Sequence, residues 1–342
     1  MGKMDLIALI KTTSHIIIVL FCVECIIAGA LPTYSNSTNA TEAEAIEDVE
    51  AINPYNYSYI LQSDPCTSEV DLLIVIHTSA KLVYSNRRMV MRASWLNRNF
   101  LSNKLGLKTK IVFFVGKADT EESQLRMEYE SEHYRDIVQS DFTDEYRHNT
   151  YKAMSYLRWT SVYCKTASLL MKLDDDTLLK VLRLPSLRSK IKDFVDSKKP
   201  IYAGKSIDSI PNRHKHSKWY VSKEVWPEDT YPTWFQGLVY FLSPQHTAEL
   251  FETALHTHYM HTDDVFIGIL VSKTESIRPY TTALSSFSEF ALEGFDVVKK
   301  LKPKWNKGSS IFFHMPELKP YYLWALEDLR QAETPDIPWF QR

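Results

Sequence analysis

Glycine is scarce in this chain, nine residues among 342, and cysteine scarcer still at four. So little glycine excludes a collagen-like or glycine-rich repeat, and no internal period of 20–50 residues is present. Four cysteines are too few for a disulfide scaffold, and no Cys-x-x-Cys pair stands beside paired histidines as a zinc module requires. Neither sign of charge dominates: 40 Lys and Arg against 42 Asp and Glu leave a net charge of −2. The basic face of a nucleic-acid binder is therefore missing. No P-loop, Gly-x-Ser-x-Gly or Gly-x-Gly-x-x-Gly occurs, which removes kinases, serine hydrolases and dinucleotide enzymes. His256, His258 and His261 lack the helical spacing and intervening Glu of a zinc hydrolase. What is present is core-forming material, 44% hydrophobic and 13% aromatic residues, so wholesale disorder is excluded.

The N-terminus sets the compartment. Residues 12–31 are mostly apolar and about as long as the ~20 residues a spanning helix needs. Lys3 and Lys11 precede them and Glu42, Glu44, Glu47, Asp48 and Glu50 follow, which keeps residues 1–11 cytoplasmic and sends the rest across. Glu24 opposes a spanning helix, since a carboxylate in hydrocarbon costs roughly 2.5–3.5 kcal/mol on insertion scales. A cleaved signal peptide ending at Ala28-Gly29-Ala30 is the competing reading. Both readings place residues from 32 onward in a lumen or outside the cell. Residues 32–65 are acidic and polar and read as an extended stem. They carry three glycosylation sequons, at Asn36, Asn39 and Asn56. Cys66 and Cys164 are the two thiols beyond the apolar segment; an oxidising compartment favours a bridge, and two free buried thiols are the alternative.

From Cys66 to residue 342 the chain reads as one body. Apolar, β-branched runs at 70–76 and 110–116, a shorter run near 137 and another at 168–173 alternate with helical patterns. The first helix is expected to begin at Asn86 as its cap, and Gly116 to form a turn. Such alternation implies a parallel sheet with helices on both faces, and chemistry beyond the carboxyl ends of its strands. Asp174-Asp175-Asp176 stands at one of those ends. Three adjacent carboxylates repel unless solvated in a turn or neutralised by a cation, and oxygen ligands suit Mg²⁺ or Mn²⁺ on a diphosphate. A second acidic pair, Asp263-Asp264, reads either as helix cap and first-turn acid or as a pair in which one raised pKa suits a general base.

Several segments, in order, resemble the β1,3-glycosyltransferase family that includes β1,3-galactosyltransferases, β1,3-N-acetylglucosaminyltransferases and Fringe enzymes. They are Arg88-x-x-x-Arg92-Ala93-Ser94-Trp95, Phe113-Phe114-Val115-Gly116, and Asp136-Ile137-Val138 through Asp141-Phe142, Asp144, Tyr146, Lys152 and Trp159. Lys172-Leu173-Asp174-Asp175-Asp176, Lys218-Trp219-Tyr220-Val221, Tyr231-Pro232 with Gly237 and Tyr240, Asp263-Asp264-Val265-Phe266-x-Gly268, and Phe313-His314 complete the set. The resemblance spans about Val70 to Trp324. It implies an α/β fold of GT-A type, a Rossmann-like mixed sheet with helices on both faces, in a single-pass type II Golgi membrane protein.

The implied activity is inverting, metal-dependent transfer of galactose or N-acetylglucosamine from a UDP-sugar to the 3-hydroxyl of a glycan on protein or lipid. Asp176 is then the metal ligand, with His314 as a second. Asp174 and Asp175 serve the ribose and donor sugar, and Asp264 is the base, with Asp263 as substitute. Arg88, Arg92 and Lys172 are candidates for the diphosphate, or for structural pairing with acids such as Asp141 and Asp144. Trp234 is the candidate acceptor contact. Val239, Phe235 and His148-Asn149-Thr150 depart from the family pattern; they touch packing and the acceptor pocket, and so bear on acceptor specificity more than on catalysis. A catalytically inactive lumenal sugar-binding protein on the same fold is the alternative.

Overall fold

A computed structural model describes residues 51–66, 69–206, 210–280, 288–289 and 310–316. The expected tail, the apolar segment 12–31, Asn36, Asn39 and the stem up to residue 50 lie outside the described residues. Among those described, no helix is long and apolar enough to cross a membrane.

Seven strands form the main sheet in the order β1-β4-β3-β2-β5-β8-β7. Its centre is parallel: β4 (Ile137–Thr143), β3 (Thr109–Lys117), β2 (Leu72–His77) and β5 (Leu169–Asp174). Both flanks are antiparallel, with β1 (Tyr59–Leu61) on β4, β8 (Phe235–Leu242) on β5, and β7 (Tyr202–Ser206) on β8. The expected mixed sheet is thus present, parallel where strand–helix alternation persists. A long helix-free excursion separates β7 from β8, and without a helical crossover the chain returns in the opposite sense. A second sheet, β6-β10-β9, joins Thr177–Leu179 (β6), Phe312–His314 (β10) and Ser288–Glu289 (β9).

Strand β2 shows why helices cover both faces. Leu72, Ile74 and Ile76 enter one core with Met91, Trp95, Leu101, Leu187 and Ile191. Leu73 and Val75 enter the other with Ala153, Leu157, Leu250 and Phe266. Successive strand side chains point to opposite faces, so a continuously apolar run requires cover on both sides. Helices α1 (Leu82–Ala93), α2 (Arg98–Leu105) and α5 (Leu184–Asp196) cover the first face; α4 (Asn149–Tyr163), α6 (Thr247–Leu255) and α7 (Asp263–Lys273) cover the second. Helix α3 (Glu121–Tyr134) follows β3 and is capped by Thr120, whose hydroxyl accepts from Ser123 N.

Three local expectations change. Helix α1 begins at Leu82 rather than after Asn86, with Lys81 at its N-cap and no side-chain cap; Ser85, inside it, bonds Glu130 Oε2 at 3.1 Å. Gly116 lies inside β3, not in a turn. A Cβ there would stand 2.7 Å from the Phe142 ring and 2.8 Å from the Phe142 carbonyl oxygen, so glycine permits the close approach of β4.

The expected stem also joins the body well before Cys66. Asn53 and Tyr55 are buried, Tyr57 packs 4.9 Å from the Tyr151 ring and 5.5 Å from that of Phe142, and Tyr59–Leu61 pairs with β4. Three tyrosines in an otherwise polar segment bring enough aromatic area to hold it down. Asn56 remains exposed there. Cys66 and Cys164 are bridged, with Cα atoms 5.0 Å apart, tying this segment to the end of α4.

Candidate active site

The acids collect at the carboxyl ends of the parallel strands. His77 ends β2 and Asp174 ends β5, and the two are register partners. Asp175 turns back under β2, its N–H donating to His77 O (3.1 Å) and its carboxylate accepting from Thr78 Oγ1 (2.7 Å). Antiparallel β8 brings Gly237 to the same place. A Cβ on it would lie 3.3 Å from Lys172 Nζ, 3.4 Å from Asp174 Oδ2 and 3.5 Å from Asp264 Oδ2. The β8 main chain at Gly237 thus comes within side-chain contact of three charged groups.

Lys172 is fully buried and connects the two acidic motifs. Its Nζ lies 2.6 Å from Asp174 Oδ1, 3.3 Å from Asp263 Oδ2 and 3.0 Å from Gly237 O. Burial opposes its charge, but Asp174 and Asp263 outweigh burial and hold the ammonium far above its ordinary value. Asp263 and Asp264 begin α7 after Thr262; they are first-turn acids and members of this cluster together. Their environments push them apart. Burial acts against the Asp263 charge, yet Lys172 and His77 outweigh it and keep this carboxyl well below the usual range. Asp264 is raised to about 6 by burial and then by the Asp263 charge, although it accepts from Gly237 N (3.0 Å) and Val265 N (2.9 Å). A pair split in this way holds one fixed charge and one carboxylate poised near neutrality.

Asp176 lies just before β6, and β10 sets His314 beside it through the Thr177–His314 register pair. His314 Nε2 is 3.0 Å from Asp176 Oδ2. Burial raises Asp176, but the His314 hydrogen bond and charge and the Arg87 charge outweigh it and hold this carboxyl low. Its Oδ1 is buried without a hydrogen-bond partner. A carboxylate oxygen and an imidazole nitrogen are donors that Mn²⁺ accepts, so this pair fits the expected cation. Among the described residues no group of three His, Cys or acidic side chains is placed to hold a metal ion.

Arg88 and Arg92 are committed elsewhere. Arg88 grips Glu130 with Nε and Nη2, both at 2.7 Å, and Arg92 bonds Glu130 (2.7 Å) and Asp136 (2.8 and 3.0 Å). Their partners are Glu130 and Asp136 rather than Asp141 or Asp144, since α1 lies alongside α3. Lys152 pairs with Asp144 at 2.7 Å. The arginine that does reach the acids is Arg87, 3.3 Å from Asp175 Oδ1 and 4.0 Å from Asp176 Oδ2, with a further bond to Pro316 O.

Trp234 is half-buried, with its indole N–H enclosed and unpartnered. A Cβ on Gly268 would come within 2.5 Å of Trp234 Cβ, so α7 is pressed directly onto this segment. Tyr146 and Trp219 are the more open rings at 46% and 52% exposure; burial and then the charges of Asp263, Asp264 and Asp174 raise the Tyr146 phenol. Phe235 and Val239 are core residues of β8, which agrees with departures that affect packing.

His77 and Arg87 were missed by sequence reasoning. For His77 a signal existed: it is the first polar residue after the β2 apolar run, the same position that Asp174 holds on β5. Arg87 had none beyond its place beside Arg88.

Comparison with known proteins puts this geometry in context. A family model described as Galactosyltransferase matches residues 86–280, more than half of the chain. Beta-1,3-galactosyltransferase 1 of Mus musculus is 28% identical over 231 residues, covering 67% of this chain and 68% of that protein. Lactosylceramide 1,3-N-acetyl-beta-D-glucosaminyltransferase B of Danio rerio is 29% identical over 258 residues, 73% of this chain and 66% of that one. Among solved structures, the bifunctional glycosyltransferase WbbM gives a TM-score of 0.41 at 14% identity, over 80% of this chain and 51% of that one. By its match to the family model, the chain belongs to the Galactosyltransferase family.

Proposed function

We propose that this protein is an inverting β1,3-hexosyltransferase that moves galactose, or N-acetylglucosamine, from a UDP-sugar to the 3-hydroxyl of a glycan on a glycoprotein or glycolipid. The observation that carries the proposal is the convergence of two acidic motifs on Lys172, with Asp264 raised to about 6 beside an ionised Asp263. A single displacement with inversion needs a base opposite the leaving group. A carboxylate whose pKa lies just below neutrality is mostly ionised at pH 7 and still basic enough to take a hydroxyl proton. Asp264 has that role. Asp263 holds charge and position.

Asp174 and Asp175 face the donor, Asp174 braced by Lys172 and Asp175 by Thr78 and Arg87. Asp176 and His314 would hold Mn²⁺ or Mg²⁺, which when bound supplies positive charge against the diphosphate of the leaving group. Tyr146, Trp219 and Trp234 border the acceptor side. The lysine-flanked apolar segment 12–31 and the sequons beyond it support a type II membrane anchor with the catalytic body in the Golgi lumen.

The test is transfer and hydrolysis on a panel of UDP-sugars, with and without Mn²⁺, for wild type and Asp176→Ala. Turnover that needs the cation and is lost in Asp176→Ala is expected. Sugar binding without turnover, indifferent both to Mn²⁺ and to the substitution, would instead establish the inactive sugar-binding protein.

A further inference from the structure

His77 is 6% exposed and ends β2, where its main-chain oxygen already anchors Asp175. Its Nδ1 lies 3.3 Å from Asp263 Oδ2, and its ring stands 5.6 Å from that of Tyr156, whose hydroxyl is tied to Tyr240 at 2.8 Å. The imidazole is therefore boxed in with its polar edge toward Asp263. Lys172 donates to Asp174 Oδ1 and Gly237 O, and its ammonium stands 3.3 Å from Asp263 Oδ2, a buried oxygen without a hydrogen-bond partner. An oxygen so placed needs a donor, and the His77 imidazole is the group within reach. We infer that His77 is a positioning residue that holds Asp263 against Lys172 through Nδ1–H, and so leaves Asp264 as the carboxylate that takes the acceptor proton. This inference rests on the transferase reading above.

Burial and then the Lys172 charge depress the imidazole to about 4, so it is neutral at lumenal pH and donates one hydrogen bond without adding charge. The charged groups facing the pair are Lys172 and Asp174 on β5, and Lys152 on α4 beyond His77. Tyr146, Tyr156, Tyr202, Tyr231, Tyr240 and Tyr259 complete the surroundings as phenols that burial keeps protonated. At 3.3 Å neither His77 Nδ1 nor Asp263 Oδ2 is yet hydrogen-bonded, and catalytic contacts are often long or poorly aligned before substrate binds.

The test compares His77→Phe and His77→Asn with wild type in the full-length protein. His77→Phe keeps the bulk and loses the donor. Its expected kcat is about tenfold lower, with KM for the UDP-sugar changed less than twofold. The acid limb of its pH–kcat profile moves to higher pH, because an Asp263 carboxylate without its hydrogen bond competes for the proton the pair shares. His77→Asn, which restores an N–H donor, recovers most of the rate and the wild-type limb. Selective ¹⁵N-histidine NMR on the wild type needs no folded variant and is expected to show an Nδ1–H tautomer that stays neutral down to pH 5. A His77→Phe profile that superimposes on wild type, or an Nε2–H tautomer or imidazolium at pH 6, overturns the inference and leaves the transferase reading intact. A wild type that transfers no sugar removes both.

Discussion

Asp264 carries the sharpest consequences at the scale of single residues. As its carboxylate protonates below about pH 6, the base is lost, so kcat is expected to fall close to tenfold per pH unit on that side. Asp264→Asn is expected to lower kcat by about 10²–10⁴-fold, the range a positioned general base supplies, while UDP affinity measured by calorimetry is unchanged. The same group bears on stability. The native state holds this proton up to about pH 6 and the unfolded chain only to its ordinary value of 3.8. Between those values the folded state binds more protons, so this group's contribution to stability declines as pH rises through the window. Urea melts at pH 4, 5, 6 and 7 are expected to show a shallower decline in Asp264→Asn than in wild type, with the remainder due to Asp174 and Asp175, which burial also raises, to about 7 and about 6. A parallel decline in both would assign it to other groups.

At the scale of elements, α7 matters through how it seats its first turn. Gly268 meets Trp234 backbone and Cβ atoms at 3.0 and 2.5 Å and the Thr233 carbonyl at 2.9 Å, measured from a Cβ it does not have. Alanine normally gains up to about 1 kcal/mol over glycine within a helix. Here the added methyl must displace a neighbouring main chain, and overpacking costs about 1–3 kcal/mol. Gly268→Ala is therefore expected to lower the urea midpoint and to raise KM for the acceptor more than for the donor; a more stable protein would contradict the packing argument. The pattern Asp-Asp-Val-Phe-x-Gly was legible as a helix start. That its glycine is there for Trp234 was not, because the partner lies on an excursion without periodicity. Similarly, Arg88 and Arg92 were readable as partners of acids, but that those acids are Glu130 on α3 and Asp136 just before β4 depends on tertiary packing.

On the scale of the whole molecule, the Cys66–Cys164 bridge closes a sequence separation of 98 residues that includes β2, β3, β4 and α4. Cross-linking a loop of that size restricts the unfolded chain strongly. Cys164→Ser is expected to cost about 2–5 kcal/mol in denaturant melts, and dithiothreitol should destabilise the wild type but not the variant. Equal sensitivity of the two to reductant would count against a bridge in the purified protein. Residues 51–65 also belong to this scale: their composition matched a solvated stem, yet three tyrosines attach them to β4 and α4.

Much of the protein was settled by sequence alone, because the determinants are local. Apolar runs of strand length and blocks of adjacent acids announce themselves within a few residues, since periodicity and charge repulsion act over short range. Only the tertiary structure decided which partner each acid meets: Lys172 between Asp174 and Asp263, Arg87 on Asp175, and His314 on Asp176 across 138 residues of chain. Those pairings follow from strand order and register, where antiparallel β8 and β10 return to the ends of β5 and β6. A one-dimensional pattern carries no record of which strands become neighbours, and the environments that separate Asp263 from Asp264 exist only once they do.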